Sequence, residues 1–248
     1  MAGRETHFLI CEEVFHTRLG RHHLKKGAKM TTLDYTRKVC FVCKTEDEYT
    51  TIGSTNRFGS PDLDTRPPEM IRSTIDYQVQ HCPSCHYCAR DISDGNADVI
   101  PIVKSDEYQR QAENSFYPRL GDAFLCEAVI EEKQGDYESA AWSAIHAAWS
   151  CDDRGSVEAA QKCRLRAIEL IGQAEKNDQA IAAEDGSCDL IKIDLLRRAG
   201  EFDQALVITE NTLKTDVGDF IRKILQFQKQ LILQKDIDCY DLEFHKIG

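Results

Sequence analysis

A chain of 248 residues, 42% hydrophobic and 29% charged with a net charge of −11, can form one large or two modest domains, each with its own core. Acidity on this scale repels phosphate backbones and disfavours nucleic acid as a partner, and no run approaches the ~18 consecutive apolar residues of a membrane helix. The short apolar stretch Phe8-Leu9-Ile10-Cys11 ends at Glu12 and Glu13 and is no signal peptide, so the expectation is a cytoplasmic protein whose eleven cysteines are reduced.

Residues 1–33 carry Arg18, Arg21, His22, His23, Lys25, Lys26 and Lys29 with no sustained apolar period, and read as a flexible basic extension. Met30 would serve as an alternative start, and His22-His23 lack partners at ligand spacing. Residues 34–103 read as a small β domain, with strands expected at Val39-Cys40-Phe41-Val42-Cys43, Tyr49-Thr50-Thr51-Ile52 and Tyr77-Gln78-Val79-Gln80. The segment from Gly53 to Pro68, with Gly59, Pro61, Pro67 and Pro68, reads as a loop.

Residues 104–248 change to helical periodicity. Ser105 before Asp106 and Glu107 opens one helix, and Pro118 fits the first position of another that runs to about Gln134. Two octets then share a pattern of glycine, acid, aromatic and, three residues on, alanine: Gly135-Asp136-Tyr137 with Ala140, and Gly200-Glu201-Phe202 with Ala205. Glycine ends one helix at positive φ, the acid caps the next, the aromatic fills the corner, and alanine permits close approach. The glycines lie 65 residues apart, near two ~34-residue periods, with a helix expected over Val157–Gln173 between them. The predicted class is therefore α+β and mostly α: a small β zinc ribbon followed by a tetratricopeptide-like array of α-helical hairpins.

The cysteine spacing carries the chemistry. Cys40-x-x-Cys43 and Cys82-x-x-Cys85 are two knuckles, each turning a pair of sulfurs toward one point, and together they predict one structural zinc ion in a four-thiolate site. The 38 residues between them exceed the common ~15–20, an excess assigned to the loop, since closure entropy grows only logarithmically. A thioredoxin-type pair would need a βαβ setting, and an iron–sulfur motif built on Cys82, Cys85 and Cys88 lacks its fourth cysteine at the right offset. A catalytic zinc would keep an open position. Cys88 is expected to pack beneath the second knuckle beside His81 and His86, and Cys126, Cys151 and Cys163 to be buried in helices.

Three stretches also resemble a bacterial family catalogued as domain of unknown function 2225: Ser54–Met70, Cys82-Pro-Ser-Cys85-His-Tyr-Cys88-Ala, and Ala147-Ala148-Trp149-Ser150-Cys151-Asp152-Asp153. The resemblance runs from about Thr36 to at least Leu206, and it implies a zinc ribbon joined to tetratricopeptide-like helices, with no established activity. His86 stands where such knuckles place glycine, and histidine tolerates positive φ better than most residues.

In the loop, Asp62 and Asp64 alternate with other residues, so an extended backbone would point both carboxylates one way, flanked by Arg57, Arg66 and Arg72. These five residues are either a self-paired loop or a recognition surface for a peptide or anion. The functional expectation is a non-enzymatic adaptor that binds another protein or a peptide. The alternatives are a hydrolase or thiol-dependent enzyme built around Asp62 and Asp64, and, after it, a nucleic-acid-binding zinc ribbon.

Overall fold

The computed structural model describes residues 31–182 and 186–243. It is α+β and mostly α, with a small antiparallel sheet ahead of a helical array. Its residues fall into two compact units: Thr31–Thr55 with Ser73–Gln179, and Asn56–Arg72 with the chain from Ala180 onward. This grouping differs from the expected division into 34–103 and 104–248. The inserted segment 56–72 folds with the C-terminal helices, because its buried aspartates and its backbone find their partners there.

The first unit opens on a hairpin of β1 (Thr32–Val39) and β2 (Glu46–Ser54), paired antiparallel with Thr36 opposite Tyr49 and Val39 opposite Glu46. The strand expected over residues 39–43 ends at Val39, and Cys40 to Cys43 form a turn instead, since a knuckle must reverse the chain. Thr32 and Leu33 belong to β1 rather than to the basic extension. Residues 1–30, with His22, His23 and Met30, lie outside the described residues. The strand expected over 77–80 is also shorter: a 3-10 turn covers Arg72–Tyr77, and only β3 (Gln80–His81) pairs with β4 (Cys88–Ala89).

Helices α1 (Val99–Val103) and α2 (Asp106–Ala112) follow, the latter capped by Ser105, whose hydroxyl accepts from Tyr108 N at 3.3 Å. Then α3 (Arg119–Lys133), α4 (Tyr137–Asp153) and α5 (Val157–Lys176) pack consecutively through short turns, so that α4 lies against both neighbours. This central position explains its composition. Residues 140–151 are all buried, and the alanines at 140, 141, 144, 147 and 148 let helices approach on both sides. On α3, a Cβ at Gly121 would stand 2.9 Å from Cys151 Sγ, so glycine is what admits this approach.

The two octets are the same turn. Gly135 and Gly200 take φ of 77° and 86°, and Asp136 N and Glu201 N each return to the carbonyl five residues back, Glu131 O and Leu196 O, at 2.9 Å. Asp136 caps α4 by accepting from Ser139 N. Sequence reading missed a third copy: Gly155 at φ 66° with Ser156 N on Cys151 O at 2.9 Å. Its glycine follows Gly135 by 20 residues and precedes Gly200 by 45, so the device recurs without the ~34-residue period expected of it.

The second unit holds α6 (Ser187–Ala199), α7 (Phe202–Thr212) and α8 (Asp219–Leu233), with α6 against both of the others. Ile221, Ile224, Leu225, Gln228, Leu231 and Ile232 form the buried face of α8, at the spacing of one helical stripe. The inserted segment lies against residues 240–242: Leu63 N donates to Tyr240 O at 2.9 Å and Leu242 N to Pro61 O at 2.8 Å.

Candidate metal centre

The two CxxC turns are built alike. In the first, Cys40 N donates to Thr45 O at 2.9 Å and Lys44 N to Cys40 O at 3.0 Å; in the second, Cys82 N donates to Tyr87 O at 2.8 Å and His86 N to Cys82 O at 3.0 Å. Lys44 and His86, each one residue past the second cysteine, both adopt φ of 63°. His86 therefore occupies the left-handed position expected of it, and Lys44 shares that geometry without any signal in the sequence.

These turns bring the four sulfurs together. Cys40 Sγ is 3.7 Å from Cys85 Sγ and Cys43 Sγ is 3.5 Å from Cys82 Sγ, and all four ligand atoms lie within 4.8 Å of one another. A tetrahedron with ~2.3 Å metal–sulfur bonds has edges of about 3.8 Å, so the spacing matches a four-thiolate centre. Cys40 and Cys82 are fully buried, whereas Cys43 is exposed, and none of the four is in a disulfide. The residues thus fit one metal ion.

The thiols differ in how readily they give up protons. Burial pushes the Cys43 thiol up, but the hydroxyl and amide of Thr45 outweigh it and bring the thiol down to about 6. Burial raises Cys82 and Cys85. Four thiolates in so small a volume need a cation among them. The surroundings are as expected: Cys88 is buried with its thiol on His86 O at 3.3 Å, and His81 Nε2 meets His86 Nδ1 at 3.3 Å. Cys126, Cys151 and Cys163 are buried in α3, α4 and α5.

The loop residues do not extend as a strand. Asp62 N donates to Arg66 O and Thr65 N to Asp62 O, both at 2.9 Å, and Thr65 takes φ of 68°. This tight turn sends the carboxylates to different cations. Asp62 Oδ1 is 2.5 Å from Arg72 Nη2, and Asp64 Oδ2 is 3.1 Å from Arg198 Nη1 on α6. Asp62, Asp64 and Arg66 are buried, Arg72 is partly covered, and Arg57 is exposed. Burial first, and the Asp64 charge second, raise the Asp62 carboxyl above its ordinary value, against the pull of the Arg72 bond. Cys239 adds a thiol donor to Asp62 Oδ2 at 3.1 Å.

Sequence reading missed Arg198, Cys239 and a neighbouring pair, Arg197 with Asp194, in which Arg197 Nη2 is 2.8 Å from Asp194 Oδ1 and also bonds Asp238 O. The doublet Arg197-Arg198 in the last turn of a helix reads as a complement to the helix dipole. Nothing local points from it to an aspartate 134 residues earlier. Comparison of the chain with protein-family models, with curated proteins and with solved structures found no match.

Proposed function

We propose that this chain is a non-enzymatic protein-interaction module in which Cys40, Cys43, Cys82 and Cys85 hold one structural zinc ion and the helical hairpins present the surface for a protein or peptide partner. The observation that carries the reading is the set of four sulfurs, all within 4.8 Å of one another, on two equivalent turns. A tetrahedral ion bonded to all four has no open position for substrate, so the centre would fasten the turn between β1 and β2 to the turn between β3 and β4. The glycine–acid–aromatic turns at Gly135 and Gly200 support a tetratricopeptide-like use of the hairpins, and hairpin arrays of that kind bind extended peptides and partner helices. The same combination of knuckles and hairpins supports membership of the family catalogued as domain of unknown function 2225. A cytoplasmic setting agrees with the reduced thiols.

The binding reading stands ahead of a hydrolase because Asp62 and Asp64 are each held by an arginine. Affinity capture from host extract with the whole chain, followed by titration calorimetry with the purified partner, tests it. Binding at a defined stoichiometry that weakens with Val207→Glu, at a 60%-exposed position on α7, is the expected result. Undiminished binding by that variant removes α7 from the surface, and hydrolytic turnover abolished by Asp62→Asn contradicts the reading outright.

A further inference from the structure

Between α3 and α4 a chain of polar groups lies among aromatic rings. Ser143 Oγ on α4 is 2.7 Å from Glu131 Oε2 and 3.2 Å from Glu127 Oε2, two carboxyl groups one turn apart on α3. Arg90 Nε lies 3.4 Å from Glu127 Oε1, and Arg90 Nη2 lies 3.0 Å from His146 Nδ1. A guanidinium only donates, so His146 Nδ1 accepts and carries no proton. Glu127 and His146 are buried, and the rings of Phe124 and Trp149 lie within 5.3 and 4.9 Å of His146.

Proton counting decides the state of the carboxyls. Ser143 has one hydroxyl hydrogen and faces two carboxyl oxygens at hydrogen-bonding distance, so two ionised carboxylates would leave one contact between lone pairs. Arg90 favours the anion at Glu127. Among the described residues no cation pairs directly with the Glu131 carboxyl; it is repelled by Glu127, with Arg90 attracting it more weakly and Asp136 adding a smaller repulsion. Of the other charged groups on α3, Lys133 pairs with Glu107 of α2, Glu132 pairs with Arg166 of α5, Asp122 accepts from the amide of Gln111, and Arg119 is exposed at the far end of the helix.

We infer that Glu127 and Glu131 bind one proton between them at neutral pH, resident on Glu131, which donates to Ser143 while Ser143 donates to Glu127, and that its loss at alkaline pH loosens α3 from α4. Burial acts in the same direction, lifting the Glu131 carboxyl well above the ordinary range and raising Glu127 as well. A folded-state value above the unfolded one means that the native chain holds the extra proton. The stabilisation is complete below the ordinary glutamate range and disappears as pH rises through the native value. The device reaches across the first helical hairpin, where an alkaline shift would leave two facing carboxylates with a single arginine.

Infrared difference spectra of the full chain test it. A protonated-carboxyl carbonyl band near neutral pH that disappears in Glu131→Gln is the expected result. Its absence from the wild type, or its persistence in that variant, overturns the assignment. Denaturant midpoints from about pH 6 to about pH 9 test the consequence: the wild type should lose stability across the range more steeply than Glu131→Gln, whose amide cannot ionise. Equal slopes would overturn the proposed coupling to the hairpin, and the wild-type spectrum decides the proton's presence even if the variant folds poorly.

Discussion

The cysteine centre of the first unit and the aspartate–arginine cluster of the second both gather charged or ionisable side chains around buried members, yet they are specified in opposite ways. The cysteines arrive in pairs three residues apart, and each pair is oriented by its own turn: Cys40 with Thr45 and Lys44, Cys82 with Tyr87 and His86. Only one long-range event, the meeting of two finished knuckles, completes the site. The aspartates belong to a turn that defines nothing until α6 supplies Arg198 and the 236–241 segment supplies its backbone. One arrangement is modular, assembled from two self-contained turns, and the other exists only once its unit has packed.

The largest expected difference follows from that contrast. Cys40→Ser or Cys85→Ser should lose both the metal and the fold of the ribbon, because structural zinc contributes on the order of 10 kcal/mol to such modules. Circular dichroism and metal analysis of the two variants check this, and full metal retention by both would show that the ligands are others.

Next in size is the buried pair of Asp64 with Arg198. Arg198→Ala should cost up to about 3–5 kcal/mol by taking a buried cation from the Asp64 carboxylate, whereas Asp64→Asn combined with Arg198→Met should cost much less. Denaturant melts of the single and double variants separate the two. Equal costs would mean that the arginine contributes packing alone and that the cluster is not electrostatically organised.

That asymmetry also explains what was legible in the sequence. The meeting of the four cysteines could be read because CxxC is a local geometric instruction, and His86 because its position relative to Cys85 fixes its φ. The octets could be read because glycine and alanine each answer a local demand of the helix–turn–helix; the acid does so as a cap only at Asp136, since the Glu201 side chain accepts from Gln204 and caps no backbone amide. Asp62 and Asp64 were legible as noteworthy, but not in their orientation: period-two reasoning assumes an extended strand, and a turn closed by Asp62 N on Arg66 O broke that assumption. Their partner Arg198 was invisible for the same reason that the insertion read as a bare loop, since its structure comes from contacts far along the chain. The strand expected at 39–43 failed because β-branched and aromatic residues can line a metal knuckle as well as a strand.

Smaller again are the helix–turn effects. Ala140 and Ala205 are fully buried at equivalent places, so leucine at either should overpack its interface by about 1–3 kcal/mol. Phe202 is only half-buried, so Phe202→Ala should fall short of the ~3–5 kcal/mol typical of a core aromatic. Gly200→Ala should cost about 1 kcal/mol through its left-handed φ alone, since a Cβ there would meet nothing within 4 Å. Thermal melts of the four variants rank them, and negligible effects at both alanines would remove the shared turn from the account.

The central claim rests on the four-sulfur cluster, and the metal content of the purified chain tests it most directly. Elemental analysis should find one zinc per chain in a colourless preparation, with that zinc lost when Cys40 and Cys85 are replaced by serine. A brown protein containing iron, or zinc that survives removal of both cysteines, would contradict it.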